Sequence, residues 1–287
     1  MPQYLIDVGS DGPVWDVALD MARRADGLGL DSIWLSDHPF AIGPDGVPSG
    51  ALDPLVLTAA LARATERVRV GTLVLAASMR EPAFVAHCFD TLARGVPGRL
   101  VAGVGTGWYE PEHRAFGIPL RSYDERVAAL DRTLELVGAL SPKPALLCGG
   151  TGQRILELAA RRADAWNVAW DVPPEAFAAL KVRLEGACER AGRDPATLAC
   201  SVGLTLLVAQ DERGIDRAIE RLRGRAAFLA ALDRDALISK IVCGTPEHCA
   251  ERIAAYGADE VVAALLLRDD PEMLELFATE VAPLLRA

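Results

Sequence analysis

Asp-Ser-Ile-Trp-Leu-Ser-Asp-His, residues 31–38, is the stretch that decides the fold. Its apolar Ile-Trp-Leu centre predicts a buried strand, which ends directly in a polar Ser-Asp-His run. In barrels of alternating strands and helices, catalytic groups lie at the carboxyl ends of the strands. Asp37 and His38 are therefore predicted catalytic residues at such a rim, because an imidazole can exchange a proton at physiological pH. The alternative is a rim histidine that only hydrogen-bonds a neighbour.

Strand-like runs alternate with helical patterns along the whole chain. Their apolar runs are continuous, which is typical of parallel strands buried on both faces. Eight such strands predict an α/β protein with a single (β/α)8 TIM barrel over residues 1–287. The predicted strands are residues 5–8, 32–36, 68–75, 100–104, 145–148, 165–169, 200–209 and 260–267.

Two of the predicted helices have clear starting signals. Asp53-Pro54 predicts an N-cap followed by a proline at the first helical position. Ser122 and Glu125 have the spacing of a capping box. Between the fourth strand and Leu120 we expect a long polar and aromatic loop. Further along the chain, helices are predicted near residues 216–229 and 235–240, among others.

Composition excludes several classes of function. The chain has 287 residues, 51% of them hydrophobic, and a formal net charge of −10. Nucleic acids and anionic membranes require a concentrated basic surface, so neither is an expected partner. Apolar runs such as residues 261–267 are too short to span a bilayer, and no signal peptide is visible. The six cysteines form no Cys-x-x-Cys pair. We expect a soluble cytoplasmic protein that binds a small-molecule substrate.

An open, doubly wound sheet that binds a dinucleotide is the alternative fold. Its best support is the run Gly-Val-Gly-Thr-Gly at residues 103–107. However, Trp-Tyr-Glu-Pro follows where a helix should begin, and no acidic residue ends a second strand at the expected spacing. The barrel is the better interpretation.

One rim of the barrel is predicted to collect polar, aromatic and glycine residues, since such residues follow six of the eight strands. A planar, phosphorylated cofactor would need a rim of this composition. In chain order these residues are Ser36, Asp37, His38, Ser78, Arg80, Thr106, Gly107, Trp108, Tyr109, Glu110, His113, Gly149, Gly150, Thr151, Asn167, Trp170, Asp171, Arg268 and Asp269.

The run Gly-Gly-Thr-Gly-Gln-Arg, residues 149–154, is the predicted phosphate site. Glycines let the backbone approach an anion closely, and the N-terminus of the following helix directs N–H groups toward it. Arg154 or Arg80 could add positive charge. The alternative is a glycine-rich turn between strand and helix that binds no ligand.

Metal binding and covalent hydrolysis are not expected. The four histidines, His38, His87, His113 and His248, do not have the spacing of metal ligands. The chain also lacks the Gly-x-Ser-x-Gly elbow of serine hydrolases and a cysteine with a local base signature.

Several motifs together resemble the bacterial luciferase-like monooxygenase family. The most specific is the run Gly-Arg-Leu-Val-Ala-Gly-Val-Gly-Thr-Gly-Trp-Tyr-Glu-Pro-Glu-His-Arg-Ala-Phe-Gly at residues 98–117. The others are residues 32–38, 67–75 with Arg80 and Pro82, 147–150, 163–167 and 244–247. The resemblance covers nearly the whole chain and implies a (β/α)8 barrel. It also implies one of two cofactors, FMN or the 8-hydroxy-5-deazaflavin coenzyme F420. The Gly-Trp-Tyr-Glu-Pro-Glu version is similar to the F420-dependent branch, which transfers hydride to or from a small organic substrate.

The resemblance also implies roles for particular residues. A non-prolyl cis peptide near Leu73-Val74 would support the cofactor ring. The phosphate would lie at Gly149, Gly150 and Thr151, with help from Thr106 and Gly107, and Trp108 would be a further cofactor-binding residue. His38, together with Asp37, would face the reacting carbon, and Glu110 is a further candidate for acid–base work. Members of the family also lead us to expect a homodimer.

Two departures from the family pattern limit the substrate. F420-dependent sugar-phosphate dehydrogenases have a tryptophan where this chain has Ile42 and a glutamate where it has Trp108, so that substrate class is not supported. Only residues 141–143 link the fourth helix to the fifth strand, where relatives have a long excursion, and the site should therefore be more open. The alternatives are an FMN-dependent, two-component monooxygenase and, from another class, a noncatalytic flavin-binding relative.

Overall fold

The protein is an α/β barrel. A computed structural model describes residues 2–5, 14–42, 48–50, 52–223, 233–267 and 269–286. The strands are β1 (Pro2–Leu5), β2 (Ser32–Leu35), β3 (Phe40–Ile42), β4 (Pro48–Gly50), β5 (Arg69–Thr72), β6 (Leu75–Ala76), β7 (Leu100–Gly105), β8 (Ala145–Gly149), β9 (Ala165–Val168), β10 (Ala199–Val208), β11 (Val242–Gly244) and β12 (Glu260–Leu265).

Eight parallel strands close the barrel in the order β1, β2, β5, β7, β8, β9, β10 and β12. Pairing of β10 with β9 on one side and with β12 on the other completes the ring. β6 continues the line of β5 and pairs with β7, and β11 adds to β10 outside the ring. The predicted (β/α)8 class is therefore confirmed.

Helices cover the outside of the barrel. They are α1 (Val14–Gly27), α2 (Pro54–Ala64), α3 (Pro82–Gly95), α4 (Glu110–Ala115), α5 (Tyr123–Gly138), α6 (Gln153–Arg162), α7 (Pro174–Arg190), α8 (Glu212–Arg223), α9 (Arg234–Lys240), α10 (Pro246–Ala254), α11 (Pro271–Leu276) and α12 (Ala282–Leu284). Both predicted helix starts are confirmed. The Asp53 carboxylate accepts from the backbone N–H of Leu55 and Val56, and Ser122 and Glu125 cap each other reciprocally.

The described chain differs from the sequence prediction in several places, among them the short strand β11, which was not predicted. The third strand is interrupted by the cis peptide bond between Leu73 and Val74, at the position that the family resemblance implied. An antiparallel hairpin, β3 with β4, follows β2. The expected loop after β7 contains α4. Residues 6–8 of the predicted first strand and residues 224–229 of a predicted helix lie outside the described part.

Side chains at alternate positions along the strands point to opposite faces of the barrel wall and form two apolar clusters. The inner cluster fills the barrel and consists of Trp34, Leu73, Val101, Leu147, Val262 and Ala264. The outer cluster contains the neighbouring strand positions, such as Ile33 and Leu35, which pack with the helices. At the amino ends of the strands, Arg69 and Glu260 form an ion pair of 3.0 Å. The Trp34 indole N–H donates to Ser32 Oγ at 2.9 Å.

All six cysteines are free thiols, and five of them are buried. Burial raises the pKa of the Cys148 and Cys249 thiols to about 12. These two cysteines therefore serve as small core residues, because a thiol is nucleophilic only as the thiolate. In the part of the chain that the structure covers, no helix is both long and apolar enough to cross a bilayer.

Candidate active site

A cavity of about 390 Å³ opens at the carboxyl ends of the barrel strands. This volume lies in the range of cofactor and small-molecule sites. The structure brings most of the predicted site residues into its lining. They are Asp37, His38, Leu73, Val74, Thr106, Gly107, Trp108, Gly149 and Gly150, joined by the rim residues Tyr109, His113, Asn167 and Trp170.

His38 stands half-exposed at the cavity and is held by a buried glutamate. Its Nδ1 lies 2.8 Å from Oε1 of Glu112, whose side chain is only 6% exposed. The imidazole also meets the Tyr109 ring edge-on, at a centroid distance of 6.5 Å. Burial raises the pKa of the Glu112 carboxyl, although the hydrogen bond to His38 acts in the opposite direction.

The structure does not bring the predicted Glu110 into the cavity. Its side chain is 61% exposed and pairs with Arg114 at 2.7 Å along the surface of α4. Glu112, two residues further on, lies in the cavity lining instead. The physical reason is the helical turn of α4, which points these two side chains in nearly opposite directions. Glu112 is therefore a site residue that the sequence interpretation missed.

Asp37 lines the cavity, but its carboxylate is fully engaged with other groups. Arg80 donates to both oxygens, at 2.6 and 3.0 Å, and the backbone N–H of Ala76 donates at 2.8 Å. Arg80 also reaches Asp53 at 2.9 Å. The network fixes the chain at the end of β2 and leaves Arg80 occupied, so the expectation that Arg80 adds charge at the phosphate site is not supported.

Gly107 lies in a tight turn near the buried polar groups of His113 and Arg126. Its φ of 72° lies in the left-handed region that favours glycine, and a Cβ there would collide with Ser78 Oγ. Ser78 Oγ is 3.0 Å from Nε2 of the buried His113. Arg126 donates to the carbonyl of Gly107. In the described part of the chain, His113 Nδ1 and Arg126 Nε are buried and have no hydrogen-bond partner.

The glycine turn after β8 leads into the uncapped N-terminus of α6. Gly150 has a φ of 134°, and a Cβ on it would lie 2.9 Å from Ile155 Cδ1. Gly152 precedes α6 and supplies no side-chain cap. The Gly150 N–H donates to the carbonyl of Asn167, so the N–H groups that remain for an anion here are those of the first turn of α6. Thr151 is exposed and lies outside the cavity lining, and Arg154 pairs with Asp124.

Trp170 forms a fixed wall of the cavity although its side chain is partly exposed. It follows a cis peptide bond, and its ring occupies the space beside Gly203. The next residue, Asp171, has a φ of 56° and accepts from the Thr205 backbone N–H at 2.7 Å and from Thr205 Oγ1 at 2.6 Å. Burial raises the pKa of Asp171, against the effect of these two hydrogen bonds.

The described cavity suits a planar, phosphorylated cofactor. Glycines at positions 105, 107, 149 and 150 let a ligand approach the backbone closely, and a Cβ at Gly149 would lie 2.9 Å from Val74 Cγ1. His113, whose buried Nδ1 has no hydrogen-bond partner, also lines the cavity. Leu73 and Val74 supply an apolar ledge, and His38 provides a group that can exchange a proton.

Comparison with known families identifies the class of protein. The sequence profile of the luciferase-like monooxygenase family matches residues 4–261. This match covers most of the chain, so the protein belongs to the luciferase-like monooxygenase family.

Among curated proteins, the chain is similar to several called F420-dependent glucose-6-phosphate dehydrogenase. One from Microbacterium testaceum is 27% identical, with 93% of each chain aligned. One from Kineococcus radiotolerans is 38% identical over 124 residues, which is 42% of this chain and 35% of that protein. The chain thus spans about a third of the length of the relatives that it matches at higher identity.

Solved structures share the fold. An F420-dependent secondary alcohol dehydrogenase in complex with an F420–acetone adduct superposes with a TM-score of 0.83 and 21% identity, covering 100% of this chain and 99% of that one. The oxygenating constituent of 3,6-diketocamphane monooxygenase from Pseudomonas putida, in complex with FMN, gives a TM-score of 0.74 and 18% identity, with 98% of each chain covered.

Proposed function

We propose that the protein is an F420-dependent oxidoreductase that transfers hydride between the deazaflavin and a small organic substrate carrying an alcohol or a carbonyl group. The main support for the proposal is that the groups needed for this reaction line one cavity. A proton-exchanging imidazole, His38, faces the same space as the Leu73–Val74 ledge and the Gly149–Gly150 turn. Relatives that align over 93% of the chain bear F420-dependent names, which supports the choice of cofactor.

The residues present would divide the work as follows. The turn at Gly149 and Gly150 and the first N–H groups of α6 would hold the phosphate. Leu73 and Val74 would face the flat ring, and Thr106, Gly107 and Trp108 would flank it. When bound, the deazaflavin would supply a two-electron hydride acceptor or donor.

His38 would handle the proton. In the direction of alcohol oxidation, its imidazole takes the hydroxyl proton while the carbon–hydrogen bond gives up its hydride, and a carbonyl remains. In the reverse direction it returns the proton to the oxygen. Asp37 acts indirectly, since its pairing with Arg80 fixes the backbone beside His38. Trp108, Tyr109 and Trp170 would contact the organic part of the substrate and exclude water.

An FMN-dependent monooxygenase is the second candidate function. The family includes monooxygenases, and the FMN complex of the Pseudomonas putida protein has the same fold. The same ledge and glycine turns would serve FMN. The two functions differ in whether oxygen enters the reaction.

Titration of the purified protein with F420 and with FMN tests the cofactor. We expect F420 to bind more tightly and its oxidised absorbance to bleach when a panel of small alcohols is added. Tighter binding of FMN, together with oxygen consumption, would favour the monooxygenase. Tight binding of either cofactor without turnover on any substrate would favour a noncatalytic flavin-binding protein.

We also propose a cellular location and an oligomeric state for the enzyme. A cytoplasmic location agrees with the free, buried thiols, since cytosolic thiols are kept reduced. A homodimer agrees with the exposed apolar side chains of Val56 and Phe84 on α2 and α3.

A further inference from the structure

The described lining of the cavity contains two buried carboxylates, Glu112 and Asp37. The Glu112 carboxylate makes a hydrogen bond with His38. The other buried carboxylate in that lining, Asp37, is satisfied by Arg80 and by the backbone N–H of Ala76. Glu112 Oε1 contacts His38 Nδ1 at 2.8 Å. Burial of an unpaired carboxylate costs free energy, and the hydrogen bond to the His38 imidazole offsets that cost for Glu112.

The short helix α4 is clamped so that this contact is fixed. His113, the next residue, is buried and hydrogen-bonds Ser78 on the turn after β6. The carbonyl of Glu112 accepts from the backbone N–H of Phe116 at 3.1 Å, and that of His113 accepts from Ile118 at 2.9 Å. The helix thus holds two neighbouring side chains against two different parts of the rim.

The hydrogen bond has a direct chemical consequence for the imidazole. An ionised carboxylate can only accept, so a neutral His38 imidazole carries its proton on Nδ1 and its lone pair on Nε2. The nitrogen that is not bonded to Glu112 is then the one able to take a proton. When it does so, the imidazolium that forms is already paired with a carboxylate, as in catalytic triads.

We propose that Glu112 is the positioning residue of a His38–Glu112 acid–base pair, holding His38 in the tautomer whose Nε2 accepts the substrate proton. The kinetic consequences of this role depend on the proposed hydride transfer. The tautomer itself is a property of the protein without any cofactor.

Heteronuclear NMR of the histidine ring nitrogens tests the tautomer directly. In the cofactor-free protein we expect His38, assigned by the loss of its signals in His38→Asn, to carry its proton on Nδ1. In Glu112→Met, which removes the acceptor at similar volume, the proton should move to Nε2 in a large fraction of molecules. The matched control is Glu110→Gln on the same helix, which should leave the tautomer unchanged.

Kinetics with F420 and the best alcohol substrate provide the second measurement. Glu112→Met should lower kcat by a factor approaching the roughly 10²–10⁴-fold expected for losing acid–base catalysis. Glu112→Gln keeps an acceptor but loses the charge, so its loss should be smaller. The dissociation constant for F420 should stay the same in both variants, and Glu110→Gln should turn over like wild type.

Two outcomes would overturn the proposal. One is a wild-type His38 with its proton on Nε2, a result that does not depend on whether any variant folds. The other is a Glu112→Met protein that is folded by circular dichroism and turns over like Glu110→Gln. If F420 fails to turn over while the wild-type tautomer is as expected, the proposed function is wrong and the His38–Glu112 pair stands.

Discussion

The imidazole of His38 is fixed from several sides before any ligand arrives. Glu112 holds Nδ1, Tyr109 meets the ring edge, and the preceding Asp37 is locked by Arg80. A group held in this way loses little freedom during a reaction, so under the proposed function we expect the fixed position of His38 to contribute to the rate.

Replacing His38 with Asn should therefore lower turnover by about 10²–10⁴-fold, because a positioned acid–base group contributes about that much. The fold and the affinity for the cofactor should be nearly unchanged, since the predicted phosphate site lies on β8 and α6. Steady-state kinetics and a cofactor titration measure both effects. His87→Asn, an exposed histidine on α3, is the control. Near-normal turnover of His38→Asn would make His38 a rim hydrogen-bonding residue only.

Most of the candidate site could be predicted at this scale, but the acidic partner could not. The residues after β2, β7 and β8 were recognisable because polar groups and glycines follow apolar runs there. The difference between Glu110 and Glu112 depends on which side of α4 faces the barrel. Residues that are two positions apart on a helix point about 200° away from each other. Because α4 has no apolar periodicity, its sequence does not indicate which of the two glutamates faces the barrel. The spacing of Glu110 and Arg114, which suits a surface pair, is the available signal.

Two connecting segments show how loops are held rigid in this fold. The chain after β9 is tied to β10 through Asp171 and Thr205, and the carbonyl of Val172 accepts from the Tyr256 hydroxyl at 2.9 Å. The chain before β5 is tied to α1, because the Asp26 carboxylate accepts from the backbone N–H groups of residues 66, 67 and 68.

Trp170 should contribute to ligand binding because its segment is fixed while its ring is partly open to the cavity. Trp170→Ala should weaken binding of the cofactor or the substrate by about 2- to 10-fold, the equivalent of a lost aromatic contact. Trp15→Ala on α1 is a matched control, because Trp15 is 39% exposed and Trp170 is 38% exposed. Fluorescence titration measures the dissociation constants. Equal affinities in the two variants would remove Trp170 from the site.

The Asp26 clamp should make stability depend on pH. Burial acts to raise the pKa of Asp26, but the three backbone N–H donors and the charge of Arg67 together outweigh it and hold the pKa below 3.8. The stabilisation is therefore present above pH 3.8 and lost as the pH falls through the folded-state value. Asp26→Asn should cost about 1–2 kcal/mol at neutral pH and progressively less in acid. Urea unfolding across this range measures the difference. Asp20→Asn, at an exposed pair with Arg24, should show little effect at any pH.

The elements themselves were predictable wherever the sequence had strong periodicity or a cap. Helices that begin at Pro54 and Tyr123 start where Asp53 and Ser122 indicated. Short elements were missed, because three-residue strands such as β3 and β11 carry no periodic signal. The first turn of α4 contains Pro111, which also suits a loop.

Two exposed apolar side chains in the described part of the molecule, Val56 and Phe84, mark the surface where we expect a homodimer contact. Val56 and Phe84 lie in the first turns of α2 and α3, which adjoin because Arg80, just before α3, binds Asp53, the N-cap of α2. We expect light scattering to give twice the 30.6 kDa chain mass, and Phe84→Glu to give monomers. Val182→Glu on α7, at a residue 67% exposed compared with 63% for Phe84, should stay dimeric. A monomeric wild type at micromolar concentration would contradict the expectation.

The packing of the described barrel interior leads us to expect a fixed order in which ligands bind and leave. Among the residues that the structure describes, the inner apolar cluster, which includes Trp34, and the Arg69–Glu260 pair occupy the barrel interior and its amino end. A cofactor anchored at Gly150 with its ring over Val74 would occupy the deep part of the cavity at the carboxyl ends of the strands, and the substrate would bind on top of it. Addition should therefore be compulsory, cofactor first and organic product released before the spent cofactor. Product-inhibition patterns at varied concentrations of each ligand would reveal that sequence.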